Sequence, residues 1–304
     1  MPAWPISAAA AKLHQDALVW DNHGCLPIRC DETFLPEIAR YRSAGVDMVS
    51  VNVGFGDMAW QRHIEMLAHF RQWLAARPED YVLALSVGDI ERAKREGKLA
   101  VAFDIEGAGA IQDLLSLIQL YYDLGVRWML IAYNQNNLAG GGCHDDDPGL
   151  SDFGKQMVEE MARAGMVVCC SHTGDRTTLD VMAYSSVPVI LSHSNPRANW
   201  DHPRNVPDKI LDACAKGGGV VGINGIGIFL GENDCSTAAI LRAVDYAVER
   251  IGADHVGLGL DYAFDQEEVA QYVRANRYIF PPGSGYDSGL NMAPPEQMPE
   301  ITEG

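Results

Sequence analysis

The chain has 304 residues, 47% of them hydrophobic, enough for one large core or two small ones. Lysine and arginine total 23 against 41 acidic residues, a formal net charge of −18. Such an acidic chain is a poor partner for nucleic-acid phosphates and suits a soluble protein or one that attracts cations. The chain opens with no basic stretch leading into a long apolar run, and nothing approaches the ~20 apolar residues of a membrane span. Seven cysteines, an odd number, suggest no short disulfide framework. Free buried thiols and a cytoplasmic, reducing setting are expected.

Short apolar runs alternate with helical patterns along the whole chain. The first run, "LVWDNH" (18–23), ends on His23, with Cys25 two residues later. The second is "VDMVSVNVG" (46–54); a helical stretch after it carries His63 and His69, read as surface residues. "YVLALS" (81–86) and a helix over 89–96 form an extra piece, so an insertion is expected around 78–98. "LAVAFDIEG" (99–107) delivers Glu106. "IQDLLSLIQLYYDLG" (111–125) has helical apolar spacing and a closing glycine. "VRWMLIAYN" (126–134) ends on Tyr133 and Asn134, and the loop beyond it, "GGGCHDDDPG", reads as a solvated acidic turn.

The helix that follows, "SDFGKQMVEEMARAG", starts at a candidate cap, Ser151, and stops at Gly165. "MVVCCSH" (166–172) places Cys169 and Cys170 inside a strand and His172 at its end. "PVILSHSN" (188–195) ends near His193, "GVVGINGIG" spans 219–227, and "HVGLGLDYAF" (255–264) carries Asp261. The Pro/Gly-rich "FPPGSGYDSG" (280–289) reads as a late surface loop.

Eight nearly continuous apolar runs alternating with helices predict parallel strands buried on both faces. The expectation is one (β/α)8 TIM barrel over 1–304, with a late loop region at 265–304. An open doubly wound sheet is the alternative. In a barrel the chemistry sits where strands end. Three histidines and two carboxylates end such runs here: His23, His172, His193, Glu106 and Asp261. Each alone reads as a hydrogen-bonded structural residue or a helix cap. Together they form a ligand set for zinc, with manganese or iron also fitting. A carboxylate bridging two ions makes the water between them acidic enough to attack at neutral pH.

"SHTGDRTTLD", "PVILSHSN", "RNVPD" and "GLGLDY", supported by "IEG" and "GLSDFG", resemble the membrane (renal) dipeptidase family of binuclear zinc peptidases, peptidase family M19. The likeness runs along essentially the whole chain. It implies that His23 holds a first metal, Glu106 bridges, and His172 and His193 hold a second. It makes Asp261 the acid/base and Arg204 the anchor for a substrate's C-terminal carboxylate, with Tyr133 and Asn134 lining the substrate. The family's substrates are short peptides, D-residues included, and its members often form homodimers.

Three positions depart from the family pattern. Its His-x-Asp is His23-Gly24-Cys25 here, its histidine after the fourth strand falls at Tyr133, and "PEITEG" stands where the family continues into a terminal helix, so the last barrel helix is expected to be missing. Cys25 as a thiolate ligand gives two zinc ions; as a bystander it leaves one. The resulting expectation is a metallo-dipeptidase. The alternatives are a hydrolase of another amide, lactam or lactone on the same scaffold, or a metal- or ligand-binding pseudoenzyme.

Overall fold

The computed structural model describes residues 5–304. Its eight staves are the eight apolar runs: β1 Trp20–Cys25, β2 Met48–Phe55, β4 Leu99–Glu106, β5 Val126–Leu130, β6 Val167–Cys169, β7 Val189–Ile190, β8 Val221–Ile223 and β9 Val256–Leu258. All pair in parallel in the order β7-β6-β5-β4-β2-β1-β9-β8. A bridge from Leu191 to Val221 joins the outermost two and closes the barrel. The extra strand β3, Tyr81–Leu83, pairs with the start of β4.

The strand sequence explains the layering. On β4, Val101, Phe103 and Ile105 join the main core cluster beneath the helices, while the alternate residues Asp104 and Glu106 belong to the polar interior. On β2, Val49, Val51 and Val53 pack in the same cluster, and Ser50 and Asn52 bond to Asp104. Two-sided burial thus makes these strands apolar outward and polar inward near their C-terminal ends.

The helices are α1 Ala8–Asp16, α2 Ala39–Ser43, α3 Trp60–Ala75, α4 Val87–Glu96, α5 Ser116–Asp123, α6 Asp152–Ala164, α7 Asp175–Tyr184, α8 Asp208–Lys216, α9 Gly227–Leu230, α10 Thr237–Ile251, α11 Gln266–Ala275 and α12 Met298–Glu303. Ser151 caps α6 by accepting from the Gly154 N–H, and Gly165 ends it at φ 85°. The helix expected over 111–125 begins only at Ser116; Gln112 at φ 51° interrupts the pattern.

Five expectations need correction. The eighth helical position is filled: α12 and the 3-10 turn before it lie between α10 and α2, where Glu296 pairs with Arg40 at 2.6 Å and Glu300 accepts from Thr237 at 3.1 Å. Residues 265–304 are not simply loop, since they include α11 and α12. The 280–289 segment is a largely exposed loop, as expected, but not wholly so: Phe280 and Tyr286 are buried over the barrel mouth. His63, read as a surface residue, is fully buried on the core face of α3, with its Nδ1 3.1 Å from the Ala59 carbonyl. The acidic turn is partly structural: Asp145 and Asp146 are exposed, but Asp147 accepts from Thr177 and from the Gly149 N–H.

Candidate metal centre

The strand ends bring His23, Glu106, His172, His193 and Asp261 to one point, as parallel barrel staves must. Glu106 Oε1 is the centre. His172 Nε2 and His193 Nε2 each lie 3.3 Å from it, and His23 Nε2 lies 3.6 Å away. His23 Nε2 is also 3.4 Å from Asp261 Oδ1 and 3.4 Å from Cys25 Sγ, and that thiol is 3.6 Å from Asp261. His23 and His193 stack with ring centroids 4.2 Å apart. His172, Asp261 and Asn134 all sit at positive φ, 61°, 61° and 59°. Such strained backbone past a strand end is the mark of side chains turned toward a site.

A second layer of bonds aims each group. Asn134 Oδ1 takes His172 Nδ1 at 2.7 Å, and Ser192 Oγ meets His193 Nδ1 at 2.8 Å. Asp104 Oδ1 lies 3.2 Å from His23 Nδ1. Asn224 donates to Asp261 Oδ2 at 2.9 Å, and Asn52 donates to Glu106 Oε2 at 3.3 Å. This leaves the inward atoms uncommitted. Glu106 Oε1 and His193 Nε2 are buried without any hydrogen-bond partner. A buried polar atom left bare costs stability unless something fills the gap.

Electrostatics point the same way. Burial pushes the Glu106 carboxyl up to about 8 and the Cys25 thiol up to about 12. His172 and His193 are driven well below the usual imidazole range, first by burial and then by neighbouring cationic groups. Burial also opposes a charged His23, but Cys25, Asp104 and Glu106 reverse this and hold it well above that range. A divalent ion would suit such a cluster, which pairs neutral imidazoles with a desolvated carboxylate. Two candidate ligand groups share His23: His23–Glu106–His193 and His23–Cys25–Asp261. The residues present therefore fit a metal.

The remaining expected residues fall around this floor. Tyr133 stacks on His172 at 4.4 Å and lines the pocket above it. Asn134 acts from behind, bonding both His172 and the Ile279 carbonyl at 3.3 Å, rather than lining the pocket. Arg204 is 2% exposed beneath the Phe229 ring, with its Nε unpartnered and no carboxylate in ion-pair range among the described residues. Asp104, Asn52, Ser192 and Asn224 were missed from the sequence. Asp104 had a signal: it lies two residues before Glu106 and so shares its face of the strand.

The sequence profile of the membrane dipeptidase family, peptidase family M19, matches residues 9–274. The chain belongs to that family. Dipeptidase tcpJ of Claviceps purpurea is 34% identical over 207 residues, 66% of this chain and 48% of that one. An uncharacterised protein encoded in the pqqA 5' region of Klebsiella pneumoniae is 33% identical over 218 residues, 68% of this chain and 79% of that one. The chain thus spans about half the length of its fungal dipeptidase relatives. Among solved structures, an amidohydrolase from Pseudomonas aeruginosa superposes with TM-score 0.87 at 26% identity, over 97% of this chain and 90% of that one. A Rhodobacter sphaeroides metallo peptidase bound to a phosphinate mimic of L-Ala-D-Ala shares the fold, with TM-score 0.70 at 20% identity over 94% and 99% of the two chains. The polar floor lies at the C-terminal ends of the staves, where barrel chemistry is built. No helix among the described residues is long and apolar enough to cross a membrane.

Proposed function

We propose that this member of the M19 family is a metal-dependent dipeptidase that hydrolyses short peptides with a free C-terminal carboxylate. The observation that carries the reading is Glu106 Oε1, bare and buried within 3.6 Å of three imidazole nitrogens. Glu106, His172, His193 and His23 would hold the metal, with Cys25 a further ligand. Zinc, in one or two copies, suits imidazole, carboxylate and thiolate donors together. When bound, the metal supplies Lewis-acid polarisation of the amide carbonyl and a water acidic enough to react near neutral pH.

The chain's own residues do the rest. Asp261, oriented by Asn224, takes a proton from the attacking water and returns it to the leaving amine. The Tyr133 hydroxyl donates to the carbonyl oxygen as negative charge develops there, a weaker aid than a cationic imidazole. Arg204, which no carboxylate among the described residues neutralises, has the fork geometry to take the substrate's carboxylate. Asn134, Ser192 and Asp104 orient the three histidines.

Two observations favour a second reading. Arg204 lies under Phe229 rather than on the wall of the open pocket, and Tyr133 replaces the family histidine. Both suit a neutral amide, lactam or lactone. Zinc-loaded protein assayed against a dipeptide library and a lactam panel separates the two. Dipeptide turnover that vanishes in Arg204→Ala supports the first; turnover of lactams alone replaces it with the second.

A further inference from the structure

We infer that the pocket selects short peptides bearing a bulky apolar side chain, with Tyr272 and Phe280 as the specificity-determining residues. This rests on the hydrolase reading for its substrate type. The polar floor ends abruptly. Above it stand six rings, Phe55, Tyr133, Phe229, Tyr272, Phe280 and Tyr286, all lining one pocket. They hold one another: Phe55 meets Tyr272 at 5.0 Å and 85°, Tyr272 meets Phe280 at 5.9 Å and 81°, and Phe280 meets Tyr286 at 5.1 Å and 73°. Edge-to-face packing fixes the rings before any ligand arrives, so little ordering is left for binding to oppose. Leu26, Ile28, Val269 and Met292 fill the spaces between.

The cage is assembled from the chain beyond β9. Tyr272 comes from α11, and Phe280 and Tyr286 from the segment after it. That segment is tied down at three places: Asn134 donates to the Ile279 carbonyl, His202 Nε2 lies 2.8 Å from the Ser284 carbonyl, and His144 Nε2 lies 2.9 Å from the Tyr286 hydroxyl. The acidic groups on the wall above the floor, Asp265 and Glu268, share the single guanidinium of Arg29. A charged substrate side chain would lose its water among the rings, whereas an apolar one gains by burial.

The test measures binding of non-hydrolysable phosphinate dipeptide mimics to zinc-loaded protein by calorimetry, alongside turnover of the matching dipeptides. Mimics with benzyl or isobutyl side chains should bind at least about 30-fold tighter than those with carboxylate or ammonium side chains, the scale of burying one large apolar group. Phe280→Ala and Tyr272→Ala should each cut that ratio, while Phe280→Leu, which keeps an apolar wall, should preserve most of it. Charged mimics binding within about 3-fold of benzyl ones, or an unchanged ratio in Phe280→Ala, would overturn the inference. Discriminating binding with no dipeptide hydrolysed would leave the pocket's selectivity standing and remove the hydrolase reading instead.

Discussion

On one side of Glu106, His172 and His193 each hold Nε2 at 3.3 Å from the same carboxylate oxygen, and each has its Nδ1 fixed by a neutral neighbour, Asn134 or Ser192. On the other side, His23 is backed by the carboxylate of Asp104 and faces a thiol, Cys25, beside Asp261. The first half consists of residues that the family likeness would assign to a metal. The second has exchanged a carboxylate for a group that burial holds protonated, at about 12, unless a cation is beside it. The contrast teaches that one barrel floor can carry two unlike halves, because β1 supplies both His23 and Cys25 while Glu106, His172 and His193 come from the ends of β4, β6 and β7.

Breaking the shared member should do the most damage. Glu106→Gln removes the charge that both halves use, so metal content and turnover should both collapse, turnover by more than about 10³-fold. Retained metal with retained turnover would sink the assignment. Asp261→Asn should come next: turnover falls by roughly 10²–10⁴-fold while metal content, read by elemental analysis, survives. Asp104→Asn acts first on His23, in the half that holds Cys25, and should weaken metal affinity by about 10–100-fold. Cys25→Ala asks whether that half binds an ion of its own. Stoichiometry should fall from two ions to one; an unchanged value makes the thiol a bystander.

The smallest effect lies outside the floor, at His63. Burial lowers its folded pKa to about 4 from the ordinary 6.5. The unfolded chain therefore binds more protons between those values, and stability must rise with pH across that window. The contribution is complete above about pH 6.5 and is lost as pH falls toward 4, up to ~3 kcal/mol in all. Urea midpoints of metal-free protein at pH 7 and 4.5 should differ more in wild type than in His63→Gln. Equal differences would mean that the buried ring titrates normally.

Much of this was legible in the primary sequence because it is local. Eight apolar runs became eight staves, since burial on both faces of a parallel barrel keeps the strands apolar for most of their length. Ser151 and Gly165 ended their helix as such residues do. The floor residues were legible for the same reason: a polar residue ending an apolar strand has one place to go in a barrel. His63 was misread by residue type, although its spacing places it on the apolar stripe of Met66, Leu67, Phe70 and Leu74 that the core covers.

Sequence alone therefore determined the barrel, its direction and the residues that gather at its mouth, because strand periodicity and strand ends are short-range facts. Only the tertiary structure could decide what aims and what covers them. Asp104 reaches His23 from a strand some 80 residues away, and Asn134 ties His172 to the Ile279 carbonyl. The Pro/Gly-rich segment from 280 looked like solvent-facing loop because its composition is that of a turn. It is largely that, yet it also gives the pocket wall two rings, because Phe280 packs on Tyr272 and Tyr286 on Phe229 and His144. Contacts between distant segments leave no periodic trace, so the floor could be read in advance and the wall could not.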